Sequence, residues 1–242
     1  MNSSKRMEII DYCRSISIIA MIIYHFSYDL GQFGLIDLNN IMSGPWKIFA
    51  ILIGTSFLFI SGFSFWIMIS ERFNKRSYIK RLLVLSFSSL IITIVTYFYL
   101  GNAFIFFGIL HLLAACSILG LIIFKLPYLI LIFISVIVFF LPQVYQSDFF
   151  EPKYLSWIGF YGKSTGSADF YPLFPWSSSF IMGVAISKII SKKKYFENFI
   201  YLEKTTNRFK SALLWSGRNS LLIYLIHQPI LVGLIYLFIL IS

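Results

Sequence analysis

The chain has 242 residues, of which 58% are hydrophobic and only 12% charged, with a mean hydropathy of +0.81. A soluble domain of this length cannot bury so much apolar surface, so the bilayer is its solvent. The formal net charge of +10 does not indicate a nucleic-acid partner, because the basic residues cluster between apolar runs and not on a polar face.

Seven apolar runs of about membrane length follow in chain order: Ile9–Tyr28, Trp46–Ser70, Leu82–Leu100, Ala103–Phe124, Pro127–Leu141, Pro172–Ile190 and Asn219–Ile241. The first holds Arg14 and His25 and lacks a small-residue cleavage site after it, so it is expected to stay as a span. The fifth is short. In the seventh, Pro229 lacks a backbone donor and is expected to kink the helix. The expected fold is therefore an all-α integral membrane protein of about seven transmembrane helices, one domain over residues 1–242. Cys13 and Cys116 both lie in apolar runs and read as free thiols; neither a disulfide framework nor a metal-ligand spacing is present.

Lysine and arginine placement sets the expected orientation. With the N-terminus cytoplasmic and the C-terminus exterior, 17 of the 20 basic residues fall inside, leaving Lys47, Lys153 and Lys163 outside. Two segments read as non-spanning. Residues 192–212 mix basic and aromatic side chains, as an amphipathic helix on the inner leaflet does. Residues 142–171 form an outer loop whose aromatics suit an interfacial belt or a sugar-stacking platform.

An ionisable residue inside a span is costly and marks a functional path. Arg14 and His25 sit about 16 Å apart along the first helix axis. Asp29 follows His25 by one turn and shares its face, where a carboxylate can set the imidazole tautomer for general-base work. The plainer alternative puts Asp29 among headgroups and His25 in a helix–helix hydrogen bond. Arg14 either pairs with Asp11, three residues earlier, or grips a phosphate with its planar fork. His111 and His227 fall at depths within about 12 Å of His25, which suggests one polar cavity lined by all three. In the basic loop over 71–81, most cations read as topology signal and anionic-lipid contact, while Lys80 and Arg81 are best placed for a nucleotide's phosphates.

Four stretches carry a resemblance to a known family. They are Glu8-Ile9-Ile10-Asp11 with Arg14, His25, Tyr28 and Asp29; Phe107-Gly108-Ile109-Leu110-His111; Tyr171-Pro172-Leu173-Phe174-Pro175-Trp176 with Gly183; and Trp215-Ser216-Gly217-Arg218-Asn219-Ser220 running on to His227-Gln228-Pro229. In that order they resemble the bacterial heparan-α-glucosaminide N-acetyltransferase catalytic-domain family, and the arginine-to-histidine spacing resembles the wider transmembrane acyltransferase superfamily. The resemblance implies an enzyme of the bacterial cytoplasmic membrane that moves an acyl group, commonly acetyl, from cytoplasmic acyl-CoA to an extracytoplasmic, glycan-like hydroxyl or amine. It places Arg14 and Arg218 with the acyl-CoA and His25 in catalysis, and His111, Trp176 and His227 at matching positions in the cavity. Lysosomal members carry an asparagine where His25 stands, so their glucosamine specificity does not carry over. Two other classes compete. A small-solute transporter would also line its path with midplane histidines, and a non-catalytic membrane protein would need none of this chemistry. A retinal-type photoreceptor is excluded, because Asn219–Ile241 holds no lysine.

Overall fold

The computed structural model describes residues 7–192 and 207–241. Each apolar run becomes a helix: α1 (Glu8–Gln32), α3 (Gly44–Arg72), α4 (Lys75–Leu100), α5 (Ile109–Ile123), α6 (Tyr128–Val144), α8 (Leu173–Lys192) and α10 (Ser220–Ile241). Shorter helices are α2 (Leu38–Met42), α7 (Lys153–Ser156) and α9 (Arg208–Arg218). Among the described residues no strand forms; Phe107 and Phe170 make one isolated parallel bridge. Helices α1, α3, α4, α8 and α10 are long and apolar enough to cross a membrane, whereas α5 and α6 are shorter apolar helices of 15 and 17 residues. The protein is an all-α integral membrane protein.

Several boundaries depart from the hydropathy pattern for local reasons. Helix α4 starts before its apolar run because Asn74 caps it, its side chain accepting from the Ser77 N–H at 3.1 Å. Pro229 does not end α10, which continues to Ile241. A backbone break falls in α8 at Phe174 (φ −97°, ψ 132°), the residue before Pro175, where the following ring disfavours the helical conformation. Residues 193–206 lie outside the described part, and with them most of the amphipathic segment expected over 192–212. Its last residues belong to α9, which packs against α1.

Contacts divide the chain into two compact units, residues 1–57 with 194–242 and residues 58–193. In the first unit, α1 packs against α2, α9 and α10. Asp11, Ser15, Ile18, Ile22, His25 and Asp29 recur on α1 at alternating spacings of four and three, which is one stripe of a helix. Ile16, Ile19, Ile23 and Phe26 on the other side are exposed, as a lipid-facing surface should be. Gly217 makes the close approach of α9 possible, since a Cβ there would sit 2.0 Å from the Asp11 carbonyl oxygen.

The second unit is built around Leu58, Phe65, Leu112, Cys116, Leu131, Phe180 and Val184. Gly62 faces the Phe180 carbonyl and Gly183 faces the Phe59 carbonyl, so α3 and α8 cross with backbones nearly touching. Lys188 on α8 donates to the Phe124 carbonyl at 2.6 Å and to the Leu126 carbonyl, satisfying acceptors that the end of α5 leaves open. Its ammonium also lies 4.4 Å from the Trp66 ring centre.

Candidate functional site

The α1 stripe carries polar groups at both ends. At one end Asp11 is 1% exposed and accepts from two arginines: Arg14 Nη1 on Oδ1 at 3.4 Å and Arg218 Nε on Oδ2 at 3.3 Å. The Arg14–Asp11 pair is the local one that their spacing allows. The Arg218 contact joins residues far apart in the chain, and it exists because Gly217 brings the end of α9 onto α1. Hydroxyls complete the junction: Ser15 donates to the Leu213 carbonyl and Ser216 donates to Ser15 Oγ at 3.0 Å. One buried carboxylate thus aligns two guanidinium groups, of which Arg218 remains 45% exposed. Guanidinium groups steadied in this way suit an anionic ligand with several oxygens.

At the other end, His25 and His227 meet edge to face with ring centres 4.9 Å apart. Asp29, 3% exposed, accepts from Gln228 Nε2 through Oδ1 at 2.7 Å. This departs from the expectation that Asp29 sets the His25 tautomer. Sharing a helix face is not enough, because both side chains lean towards α10 and each finds a partner there. Four side-chain atoms in this cluster are buried without a hydrogen-bond partner among the described residues: His25 Nδ1, Asp29 Oδ2, His227 Nε2 and Gln228 Oε1. Buried polar atoms are nearly always paired, so such a group in one place indicates a site for a polar ligand. An alternating set of nitrogen and oxygen atoms can both donate to and accept from a reacting hydroxyl, amine or carbonyl.

The remaining sequence candidates lie in the second unit. His111 makes two hydrogen bonds: its Nδ1 accepts from the Gly108 N–H at 3.2 Å and its Nε2 lies 3.0 Å from Thr93 Oγ1. The Thr93 hydroxyl donates to the Ile105 carbonyl at 2.8 Å, so it accepts from His111, which fixes the Nε2–H tautomer. Both ring nitrogens are engaged, and this imidazole ties α4 to the start of α5. Trp176 packs its ring 4.5 Å from that of Tyr171. Lys80 and Arg81 are exposed on α4. A cavity of about 330 Å³ opens one turn earlier, against Lys75, Arg76 and Ile79. Four cations on the first turns of a helix oppose its dipole, an arrangement that a bound anion relieves.

The loop over 142–171 is stitched to the segment before α5. Backbone bonds run from Ala168 to Ala103 at 2.9 Å and from Tyr171 to Phe107 at 3.0 Å. Asp169 Oδ2 accepts from the Ile109 N–H at 3.3 Å and caps α5, the helix of His111. Burial pushes the Asp169 carboxyl up to about 6, against the smaller opposing effect of that N–H.

Gln228, and Tyr224 through its carbonyl 2.6 Å from His227 Nδ1, join the site without a role having been read for them from the sequence. An amide inside a run as apolar as α10 was the available signal, hidden by its neighbour Pro229, which reads as a helix kink. Comparison with known proteins adds one match. A family described as Heparan-alpha-glucosaminide N-acetyltransferase, catalytic, matches residues 6–229. No curated protein and no solved structure matches the chain.

Proposed function

The chain belongs to the heparan-alpha-glucosaminide N-acetyltransferase catalytic family, and from that premise we propose that it transfers an acetyl group from acetyl-CoA to a glycan-type acceptor across the membrane. The family is one of membrane acetyltransferases. What supports the finer reading is the cluster of four unpartnered buried polar atoms contributed by His25, Asp29, His227 and Gln228.

In this reading the N-terminus is cytoplasmic, and Arg14 and Arg218, aligned by Asp11, receive the phosphates of CoA. Those phosphates carry too much charge to enter hydrocarbon, so they stay at this end. Lys80 and Arg81, in the other unit, are proposed as phosphate-binding cations of that unit's own surface. The pantetheine arm carries the thioester along the α1 stripe to His25 and Asp29. There an imidazole takes the proton of the acceptor hydroxyl or amine as its oxygen or nitrogen bonds to the thioester carbonyl carbon. The tetrahedral intermediate then breaks its carbon–sulfur bond, and the CoA thiolate leaves and recovers the proton. The products are the acetylated acceptor and CoA, with no covalent enzyme intermediate required.

The test is thermal unfolding of the detergent-purified protein with and without acetyl-CoA, combined with transfer of a radiolabelled acetyl group to glucosamine and to glucose. Stabilisation by acetyl-CoA that is lost on Arg14→Ala, and transfer that is lost on His25→Ala, support the reading. A protein that acetyl-CoA does not stabilise, and whose activity survives His25→Ala, refutes it.

A further inference from the structure

The structure assigns the proton-accepting nitrogen of this reaction to His227 Nε2, which makes His227 a catalytic residue beside His25. The inference rests on the acyl-transfer reading above and names which of two touching imidazoles acts as the base.

The assignment follows from hydrogen-bond roles. His227 Nδ1 lies 2.6 Å from the carbonyl oxygen of Tyr224, one turn earlier on α10. A carbonyl can only accept, so Nδ1 carries the hydrogen. In the neutral ring Nε2 is then an unshared lone pair. That nitrogen is buried and has no partner among the described residues, and it belongs to the cluster where the ligand is expected. A backbone carbonyl on one ring nitrogen is a well-used way to aim the other as a base. His25 lacks such a device. Its Nδ1 is also buried, and among the described residues no group is hydrogen-bonded to that nitrogen to set where the proton sits. Its ring instead packs 4.9 Å from His227 and can donate to the thioester carbonyl oxygen as charge develops there.

The groups facing His227 are few. From α1 come His25 and, through Gln228, Asp29; from α10 itself comes Tyr224. Helix α9, which also packs on α10, contributes Arg218, which Asp11 holds fourteen residues before His25. The step is balanced as in the reaction above: the acceptor's proton moves to His227 Nε2, the acceptor atom bonds to the acyl carbon, and the departing thiolate takes the proton back.

The experiment combines two readouts on the full chain in detergent. The first is the pH dependence of kcat/KM for acetyl transfer from acetyl-CoA to glucosamine or glucose, whichever the wild type uses, for wild type, His227→Gln and His25→Gln. The second is nitrogen NMR of histidine-labelled protein. Expected are a loss of at least about 100-fold in kcat on His227→Gln, with the rising acid limb of the profile abolished. His25→Gln, which keeps a donor, should be slower but retain that limb. The spectrum should hold an Nδ1–H ring signal that disappears in His227→Gln, a readout independent of turnover. The proposal is overturned if His227→Gln keeps the limb while His25→Gln loses it, or if His227 proves to be the Nε2–H tautomer. A wild type that transfers no acetyl group overturns the functional reading itself, and the base assignment with it.

Discussion

Gln228 donates to the Asp29 carboxylate at 2.7 Å, so the acid that lies one turn beyond His25 is held by an amide of α10 and not by that histidine. The bond also orients the amide, because Nε2 faces Asp29 and Oε1 is left for another partner. The end of the site is therefore assembled between two helices, and either residue alone is incomplete.

Replacing Gln228 by leucine removes the donor from Asp29 Oδ1 and leaves both carboxylate oxygens unpaired in a buried place. The cost should be about 1–3 kcal/mol, seen as a lower unfolding temperature in detergent. Changing Asp29 and Gln228 together to leucine should recover most of the stability while abolishing transfer. A Gln228→Leu protein as stable as the wild type would contradict the pairing.

Gly217 is the contact on which the Arg218–Asp11 bond depends. Gly217→Ala would place a methyl group 2.0 Å from a backbone oxygen that cannot step aside, so α9 must move off α1. The expected destabilisation is about 1–3 kcal/mol. In the proposed enzyme, KM for acetyl-CoA rises more than kcat falls. Unchanged KM in a folded Gly217→Ala protein would separate Arg218 from donor binding.

Lys188 caps the end of α5 with its ammonium, supplying donors to two carbonyls. Lys188→Met keeps the stem's apolar contacts and deletes those donors. Each hydrogen bond from a charged group is worth about 1.5–3 kcal/mol, so a clear drop in unfolding temperature is expected. Retained stability would mean that water satisfies these carbonyls.

Asp169 gives a pH signature. Its carboxyl is raised to about 6 in the folded protein from 3.8. A group raised on folding favours its protonated form there. Its contribution is thus complete below the unfolded value and is lost as pH rises through about 6. Stability in detergent should fall over that window, and Asp169→Asn, which has no carboxyl to ionise, should flatten the slope. An identical slope in the variant would show that Asp169 is not the titrating group.

The helical architecture was legible because hydrocarbon leaves no choice: seven apolar runs meant seven helices, and their order survived intact. Local pairs were legible too, as Arg14 and Asp11 lie on one helix at a spacing that lets them meet. Contacts across the chain were not. Nothing in hydropathy joins Arg218 to Asp11, Gln228 to Asp29 or Asp169 to the start of α5, since each depends on where a second helix or loop comes to rest. Comparable depth was a partial guide to the histidines. It anticipated the meeting of His25 with His227, whereas the bonds of His111 go to Thr93 and Gly108 within its own unit.

The alternating four-and-three spacing along α1 restricts which changes of length that helix can absorb. Inserting or deleting one residue between Ile18 and Ile22 would swing everything beyond it by about 100° around the axis. His25 and Asp29 would then face hydrocarbon while Asp11 and Ser15 kept their places. Substitution at Ile16, Ile19 or Ile23 by another greasy side chain should be harmless by comparison. The exposed positions of this stretch can therefore vary among apolar residues, while its count hardly can.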